Sequence, residues 1–254
     1  MEAFSVDIEK TYLYRESGTS DGTQEKYYLD GFWYKVDKSG SEGLAEYLAT
    51  LALDCSNLAP YEYVRYEQGF INGQEGCRSQ NCLKMGEELV SFYRLWANTN
   101  GGDIAAVMQM MDYDDAIEKV VAFIREQTQL DIHRYLANNL AFAMFIRNED
   151  LHFNNLWVRF DGDKFDYAPI MDNGRSMFVG NRRFDSSRGF DRNKRESFSR
   201  IFSASFDQNY HYLEKYSDIK FDRKKLIAAL DKEPQSAQRD FIYYQIDSYP
   251  ELMN

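Results

Sequence analysis

The sequence predicts an α+β fold in two lobes, a small β-rich lobe over residues 1–86 and a larger, mostly helical lobe over 87–254. Three observations carry that expectation. The first third is rich in Tyr and in period-two patterns, with an Asp30-Gly31 dipeptide set between two such runs. From Glu87 onward apolar residues recur at helical spacing instead. The 254 residues, 44% of them hydrophobic, are enough to bury a sizeable core.

Each element has its own local signal. "KYYL" and "FWYKV" flank Asp30-Gly31, the strongest short hairpin signal a chain offers. "SEGLAEYLATLAL" has the spacing of a short helix, with Ser41 at the N-cap. "PYEYVRYEQ" reads as a strand and "GCRSQNCLK" as its partner after the "NGQEG" turn. In the second lobe "EELVSFYRLWAN" and "DDAIEKVVAFIREQTQ" read as helices. "LDIHRYLANNLAFAMFI" is a third, with Ile132, Leu136, Leu140, Ala143 and Phe145 or Ile146 inward, ending near Arg147. "LWVRF", the turn "DGDK" and "FDYAPIMD" make a hairpin, and the remainder is mostly helical.

Charge and composition exclude some function classes. Lys and Arg total 30 against 41 Asp and Glu, a net charge of −11, which repels nucleic acid and anionic membrane. The opening "MEAFSVDIEK" has neither a basic nor an apolar leader region, and the longest apolar run, "LAFAMFI", is too short to span a bilayer. A cytoplasmic protein with no membrane partner is expected. Cys55, Cys77 and Cys82 form no disulfide framework, and the Cys77/Cys82 spacing lacks a second ligand pair for zinc.

The chemistry concentrates in "RNEDLHFNNLWV", Arg147 to Val158, where Asp, His and Asn residues crowd between a helix and a strand. Asp150 and Asn155 share this loop, and Asp172 stands at the far end of the next hairpin, a layout that can bring all three to one cleft. Phosphoryl transfer needs such a set: a carboxylate to orient and deprotonate a hydroxyl, and oxygen ligands for a Mg²⁺ that bridges phosphates. A helix cap followed by a turn uses the same residue types. Lys35 on the "FWYKV" strand adds a cation, which Glu46 on the following helix, or Glu42 one turn earlier, can hold toward phosphates. Upstream, Gly18, Gly22 and small hydroxyl residues in "ESGTSDGTQEKYYL" let backbone N–H groups approach phosphate oxygens, although the Walker spacing is absent.

In this order, "GTQEK" with Gly22, Gln24 and Lys26, the lysine of "FWYKV", "AEYLATLAL", "NEDLHFNN" and "APIMDNG" resemble HipA-like serine/threonine kinases over residues 17–175. The family's N-x-D-x-H-x-x-N loop is complete at Asn148, Asp150, His152 and Asn155. The resemblance implies a bilobal protein-kinase-like fold acting with ATP and Mg²⁺ on a Ser or Thr of a protein. It makes Asp150 the catalytic base, Asn155 and Asp172 the metal ligands, and Lys35 the phosphate-binding lysine paired with Glu46. His152 orients the loop, and Leu83 and Met85, in the connection between the lobes, contact the nucleotide base. It also implies autophosphorylation at Thr19 or Ser20 and, for some members, a toxin role with an antitoxin-type partner. This chain is expected to lack the extra N-terminal subdomain of longer members, since about sixteen residues precede the Gly-rich segment.

Two alternatives share part of these signals. "DLHFNNLW" is similar to the loop of aminoglycoside and choline phosphotransferases, which usually have His-Gly where this chain has Asn148-Glu149. A kinase-fold binding module without activity is the other, and such proteins usually lose one of the lysine, base or metal ligands. Finally, Asn181 to Arg200 holds seven basic residues against three acidic ones, where a kinase keeps its substrate segment; a solvated face would look the same.

Overall fold

The computed structural model describes residues 3–14 and 24–254. Its first elements are β1 (Phe4–Val6), β2 (Leu13–Tyr14), β3 (Lys26–Leu29), β4 (Phe32–Val36), α1 (Glu42–Asp54), β5 (Tyr66–Ile71) and β6 (Gln74–Gln80). There follow β7 (Glu88–Ser91), α2 (Phe92–Asn100), α3 (Ile104–Gln109), α4 (Tyr113–Thr128), α5 (His133–Ile146), β8 (Trp157–Phe160) and β9 (Phe165–Tyr167). The last are α6 (Phe190–Glu196), α7 (Phe206–Leu213), α8 (Arg223–Leu230) and α9 (Ala237–Ser248). The mixed α+β class agrees with the expectation. Among the described residues no helix is long and apolar enough to cross a membrane.

The chain forms two compact units, and the first is not continuous in sequence. It comprises residues 1–82, 172–182 and 221–254; the second comprises 83–171 and 183–220. The expected boundary at 86/87 lies four residues from the first break, but a division into two consecutive segments misses both returns to the first unit. Segment 172–182 returns by packing, as Phe178 meets Phe241 of α9 edge to face at 4.7 Å. Residues from 221 return by backbone pairing, since Phe221 bridges both Ser56 and Met253.

The first unit is built on one six-stranded sheet in the order β1-β5-β6-β4-β3-β2. Both expected tight turns form it. Asp30 and Gly31 take φ of 49° and 81°, and Asn72 and Gly73 take 51° and 75°, the left-handed pair a two-residue hairpin requires. The "PYEYVRYEQ" strand therefore starts later than expected, at Tyr66, and runs to Ile71. Alternation puts Tyr27, Tyr34, Val36 and Ile71 on one face of the sheet, where Ile8 joins them in a buried cluster. Lys35 points the other way, in register with Lys26 on one side and Cys77 on the other. Helix α1 buries Ala45, Leu48, Ala49, Ala52 and Leu53. A Cβ on Gly43 would lie 2.6 Å from the backbone of Gly76 in β6, so only glycine permits this approach of helix to sheet.

Ser41 occupies the N-cap position of α1, yet its side chain makes no capping bond. The Gly43 N–H donates instead to Asp37 Oδ1 at 2.7 Å, and the Glu42 carboxylate accepts from Ser39 N–H at 2.7 Å and from Ser41 N–H at 3.3 Å. Carboxylates thus do the work expected of the serine, which the positive end of the helix favours.

In the second unit a three-stranded sheet, β7-β8-β9, accompanies helices α2 to α7. The hairpin expected around "DGDK" is β8-β9. "EELVSFYRLWAN" is not one helix: residues 88–91 pair with β8, and α2 begins only after Ser91, whose side chain accepts from Arg94 N–H at 3.1 Å. Leu89, Phe92 and Trp96 keep a helical spacing while Val90 and Phe92 keep a strand spacing, so pairing with β8 decides. The third expected helix, α5, is buried on every side from Leu136 to Ile146, beyond the single apolar stripe expected. It ends on Arg147 in the left-handed conformation, φ 52°, with its N–H returning to Ala143.

Candidate functional site

Two constellations of polar groups stand out, one in each unit. In the first, Lys35 Nζ lies 3.0 Å from Glu46 Oε1 and forms a close ion pair with Asp172 Oδ1. Tyr66 completes the cage, its hydroxyl accepting from Lys35 Nζ at 3.4 Å and its ring lying 4.8 Å beneath the ammonium. The other carboxylate oxygen of Glu46 accepts from Asn173 N–H at 2.8 Å, so one buried glutamate ties the strand lysine to the 172–174 loop. Glu42, the other candidate partner of Lys35, is engaged in capping α1.

The local energetics follow from burial. The Lys35 side chain is 12% exposed and that of Glu46 3%. Burial opposes the lysine's charge, but facing Asp172 and Glu46 outweighs it and holds its pKa well above the ordinary value. Burial likewise pushes Glu46 up, and Lys35 pulls against that shift. Asp172 is more open, 30% exposed, and adopts a left-handed backbone, φ 60°, that a non-glycine residue rarely takes. With one cation and two carboxylates the cluster is formally net negative, a field that attracts a divalent cation. Nearby, burial and then the carboxylates of Glu42, Glu75 and Glu46 push Asp37 up to about 6, against the bond from Gly43 N–H.

The second constellation is the 148–155 loop. Asn148 Oδ1 accepts from Asp150 N–H at 2.9 Å, His152 Nδ1 accepts from Asn154 N–H at 3.2 Å, and Asn155 Nδ2 donates to the Asp150 carbonyl at 2.9 Å. Because a carbonyl can only accept, that last bond fixes the orientation of the Asn155 amide, and among the described residues its oxygen has no hydrogen-bond partner. The loop thus presents a carboxylate and an amide oxygen on a backbone locked by its own side chains. Arg200 Nη1 lies 3.3 Å from Asp150 Oδ1, and Glu149 Oε1 accepts from Phe198 N–H at 3.1 Å. Sequence reasoning placed Arg200 in a basic segment without seeing this contact, and it missed Tyr66 and the Asn173 N–H altogether.

The remaining expected residues have separate positions. Lys26 lies on the Lys35 face of the sheet and Gln24 just before β3. Gly18, Thr19, Ser20 and Gly22 lie outside the described residues. Leu83 opens the second unit, and Met85 is fully exposed in a turn closed by the Glu87 N–H to Lys84 carbonyl bond of 3.1 Å. The basic stretch spends part of its charge internally: Arg188 pairs with Asp185 at 3.0 Å and Glu196 at 3.5 Å. Burial first, then the charge of Arg147, pushes Lys194 down to about 8. The three cysteines are free thiols, two of them buried. Among the described residues no group of three or more His, Cys, Asp or Glu side chains is arranged to hold a metal. Mg²⁺ carried by nucleotide phosphates asks less of a protein, one or two oxygen ligands; the Asp172 carboxylate in the first unit and the Asn155 amide oxygen in the second are each an oxygen donor of that kind.

No protein-family model matches the sequence, and no curated protein matches it. Solved structures do. The Helicobacter pylori proinflammatory kinase CtkA aligns with a TM-score of 0.66 at 13% identity, covering 98% of this chain and 94% of that one. HipA from the Shewanella oneidensis MR-1 toxin-antitoxin complex with HipB and operator DNA aligns at 0.53 and 8% identity, covering 91% of this chain and 64% of HipA. Likeness at such low identity speaks to the fold, and the chain carries the α+β fold of the HipA-like kinases that its loop motif resembles.

Proposed function

We propose that the protein transfers the γ-phosphate of ATP to a Ser or Thr hydroxyl of another protein. The observation that carries this reading is the caged lysine: a buried Lys35 held by Glu46 and Asp172 has no structural need to be charged, since apolar residues could fill the same space. A charge maintained there at such desolvation cost suits a ligand with several negative oxygens. Lys35 binds phosphate oxygens, and Glu46 aims it while keeping it protonated. Asp150 accepts the hydrogen bond of the attacking hydroxyl and takes its proton as the new phosphorus–oxygen bond forms and the bond from the γ-phosphorus to the bridging oxygen breaks, releasing ADP. His152 and Asn148 hold the loop that presents it. Asp172 and the Asn155 amide oxygen are the ligands this reading assigns to Mg²⁺. When bound, the metal neutralises charge developing on the phosphates. Lys26 and Gln24 lie toward the phosphates, and the 83–87 connection contacts the base. An antitoxin-type partner, such as HipA has in HipB, belongs to this reading only as a further candidate.

The "DLHFNNLW" likeness keeps a small-molecule acceptor as the competing outcome. Calorimetry should detect ATP binding that requires Mg²⁺ and weakens in Asp172→Asn. Offered lysate proteins and small alcohols in parallel, the enzyme should label protein. Saturable labelling of an aminoglycoside or choline with no labelled protein would replace this substrate class, and absence of Mg²⁺-dependent ATP binding would remove the kinase reading.

A further inference from the structure

We propose that Arg200 is a positioning residue for Asp150: it clamps one carboxylate oxygen so that the other faces the acceptor hydroxyl. The inference rests on the reading of Asp150 as the base. Its backbone is already fixed on both sides, the N–H by Asn148 and the carbonyl by Asn155. Those bonds leave the side-chain torsion free. Arg200 Nη1 meets Oδ1 at 3.3 Å, and among the described residues Oδ2 has no partner. A carboxylate that must accept a hydroxyl proton needs just that asymmetry.

Arg200 reaches Asp150 from a loop that is itself built. Asn209, 1% exposed, sits inside it, donating to Ser199 Oγ, the Ile201 carbonyl and the Ser203 carbonyl, each at 2.9 Å, and accepting from Ser203 N–H at 3.0 Å. Phe198 N–H anchors the loop's start to Glu149 at 3.1 Å. Phe202, with φ 52°, meets Phe153 of the catalytic loop edge to face at 5.4 Å. Two contacts therefore register the arginine loop against the 148–155 loop, and Arg200 is the side chain that uses this registration on Asp150. Both side chains are partly open, 43% and 34% exposed, so the pair adds little to stability; its geometry is what matters. In a loose phosphoryl-transfer transition state orientation of the nucleophile outweighs proton abstraction, so a fixed carboxylate serves the reaction.

Single-turnover and steady-state phosphate transfer in the wild type, Arg200→Ala, Arg200→Lys and Asp150→Ala test this. Arg200→Ala should lower kcat by about 10- to 100-fold, the size expected when a reacting group loses its orientation, with the KM for ATP and for acceptor unchanged. Arg200→Lys should recover much of the rate, and millimolar guanidinium ion should partly rescue Arg200→Ala but not Asp150→Ala. Melting temperatures of the two arginine variants should match the wild type. A wild-type kcat in Arg200→Ala beside an inactive Asp150→Ala overturns the inference and leaves the base assignment standing. A loss confined to acceptor KM also overturns it, making Arg200 a binding residue. Full activity in Asp150→Ala, or no transfer by the wild type, overturns the underlying reading and the inference with it.

Discussion

Removing the charge of Lys35 should be more damaging than removing its partner as well. In Lys35→Met the Glu46 carboxylate, 3% exposed, keeps its negative charge with no cation 3.0 Å away, whereas Asp172, 30% exposed, can rehydrate. At that separation and an effective dielectric near 20, Coulomb attraction is about 5 kcal/mol before desolvation is subtracted. Breaking one side of such a buried pair costs about 3–5 kcal/mol, a large share of the roughly 5–15 kcal/mol that holds a domain folded. Adding Glu46→Gln removes the stranded charge but keeps an oxygen for Asn173 N–H, so the double variant should be more stable than Lys35→Met by about 2 kcal/mol. Protonation should act as the mutation does. Burial already raises Glu46 above its unfolded value, and loss of Lys35 raises it further. The native state then takes up a proton as pH falls through that folded pKa, and the deficit of Lys35→Met should shrink on acidification. Urea denaturation followed by circular dichroism at several pH values measures both effects. Losses that simply add in the double variant, with no pH dependence, would refute the idea that the three groups form one electrostatic unit.

Other positions make separate predictions. Asp37→Asn keeps an oxygen for Gly43 N–H but removes a carboxylate that burial and Glu42, Glu75 and Glu46 push up to about 6; it should stabilise the protein at pH 7 by about 1 kcal/mol after discounting for solvent. Because the folded pKa exceeds the unfolded one, that gain should fade as pH drops from 6 to 4, measurable by denaturant midpoint. Gly43→Ala drives a Cβ to 2.6 Å from the Gly76 backbone and should cost about 1–3 kcal/mol or more, seen as a lower melting temperature. Asn209→Ala empties the centre of the 199–203 loop; it should cost about 2 kcal/mol or more and quicken tryptic cleavage after Arg200, read by mass spectrometry.

Much of this was readable in the sequence because local chemistry decided it. Asp30-Gly31 and Asn72-Gly73 demand left-handed turns whatever surrounds them, so the hairpins were legible. Lys35 and Glu46 could be proposed as a pair because one lies on a strand and the other on the next helix; Glu42 competed until capping of α1 claimed it. What could not be read depends on distant parts of the chain. Residues 88–91 form a strand because β8, some seventy residues on, offers a partner. The 172–182 and 221–254 segments rejoin the first unit through contacts without a periodic signature. Tyr66 looks like any strand tyrosine until Lys35 and Asp172 close over it. Arg200 could be seen as a charge in a basic run, but not as a partner for Asp150 fifty residues earlier.

In the proposed reaction this chain moves phosphate from ATP to a hydroxyl using Asp150 and the Lys35 cluster. Incubation with γ-labelled ATP, Mg²⁺ and lysate protein, followed by phosphoamino-acid identification, tests it most directly. Label is expected on Ser or Thr with wild-type enzyme, abolished by chelating Mg²⁺ and in folded Asp150→Ala and Asp172→Ala. Label that persists undiminished in either folded variant, or no transfer from a wild-type protein to any protein or small alcohol, would contradict it.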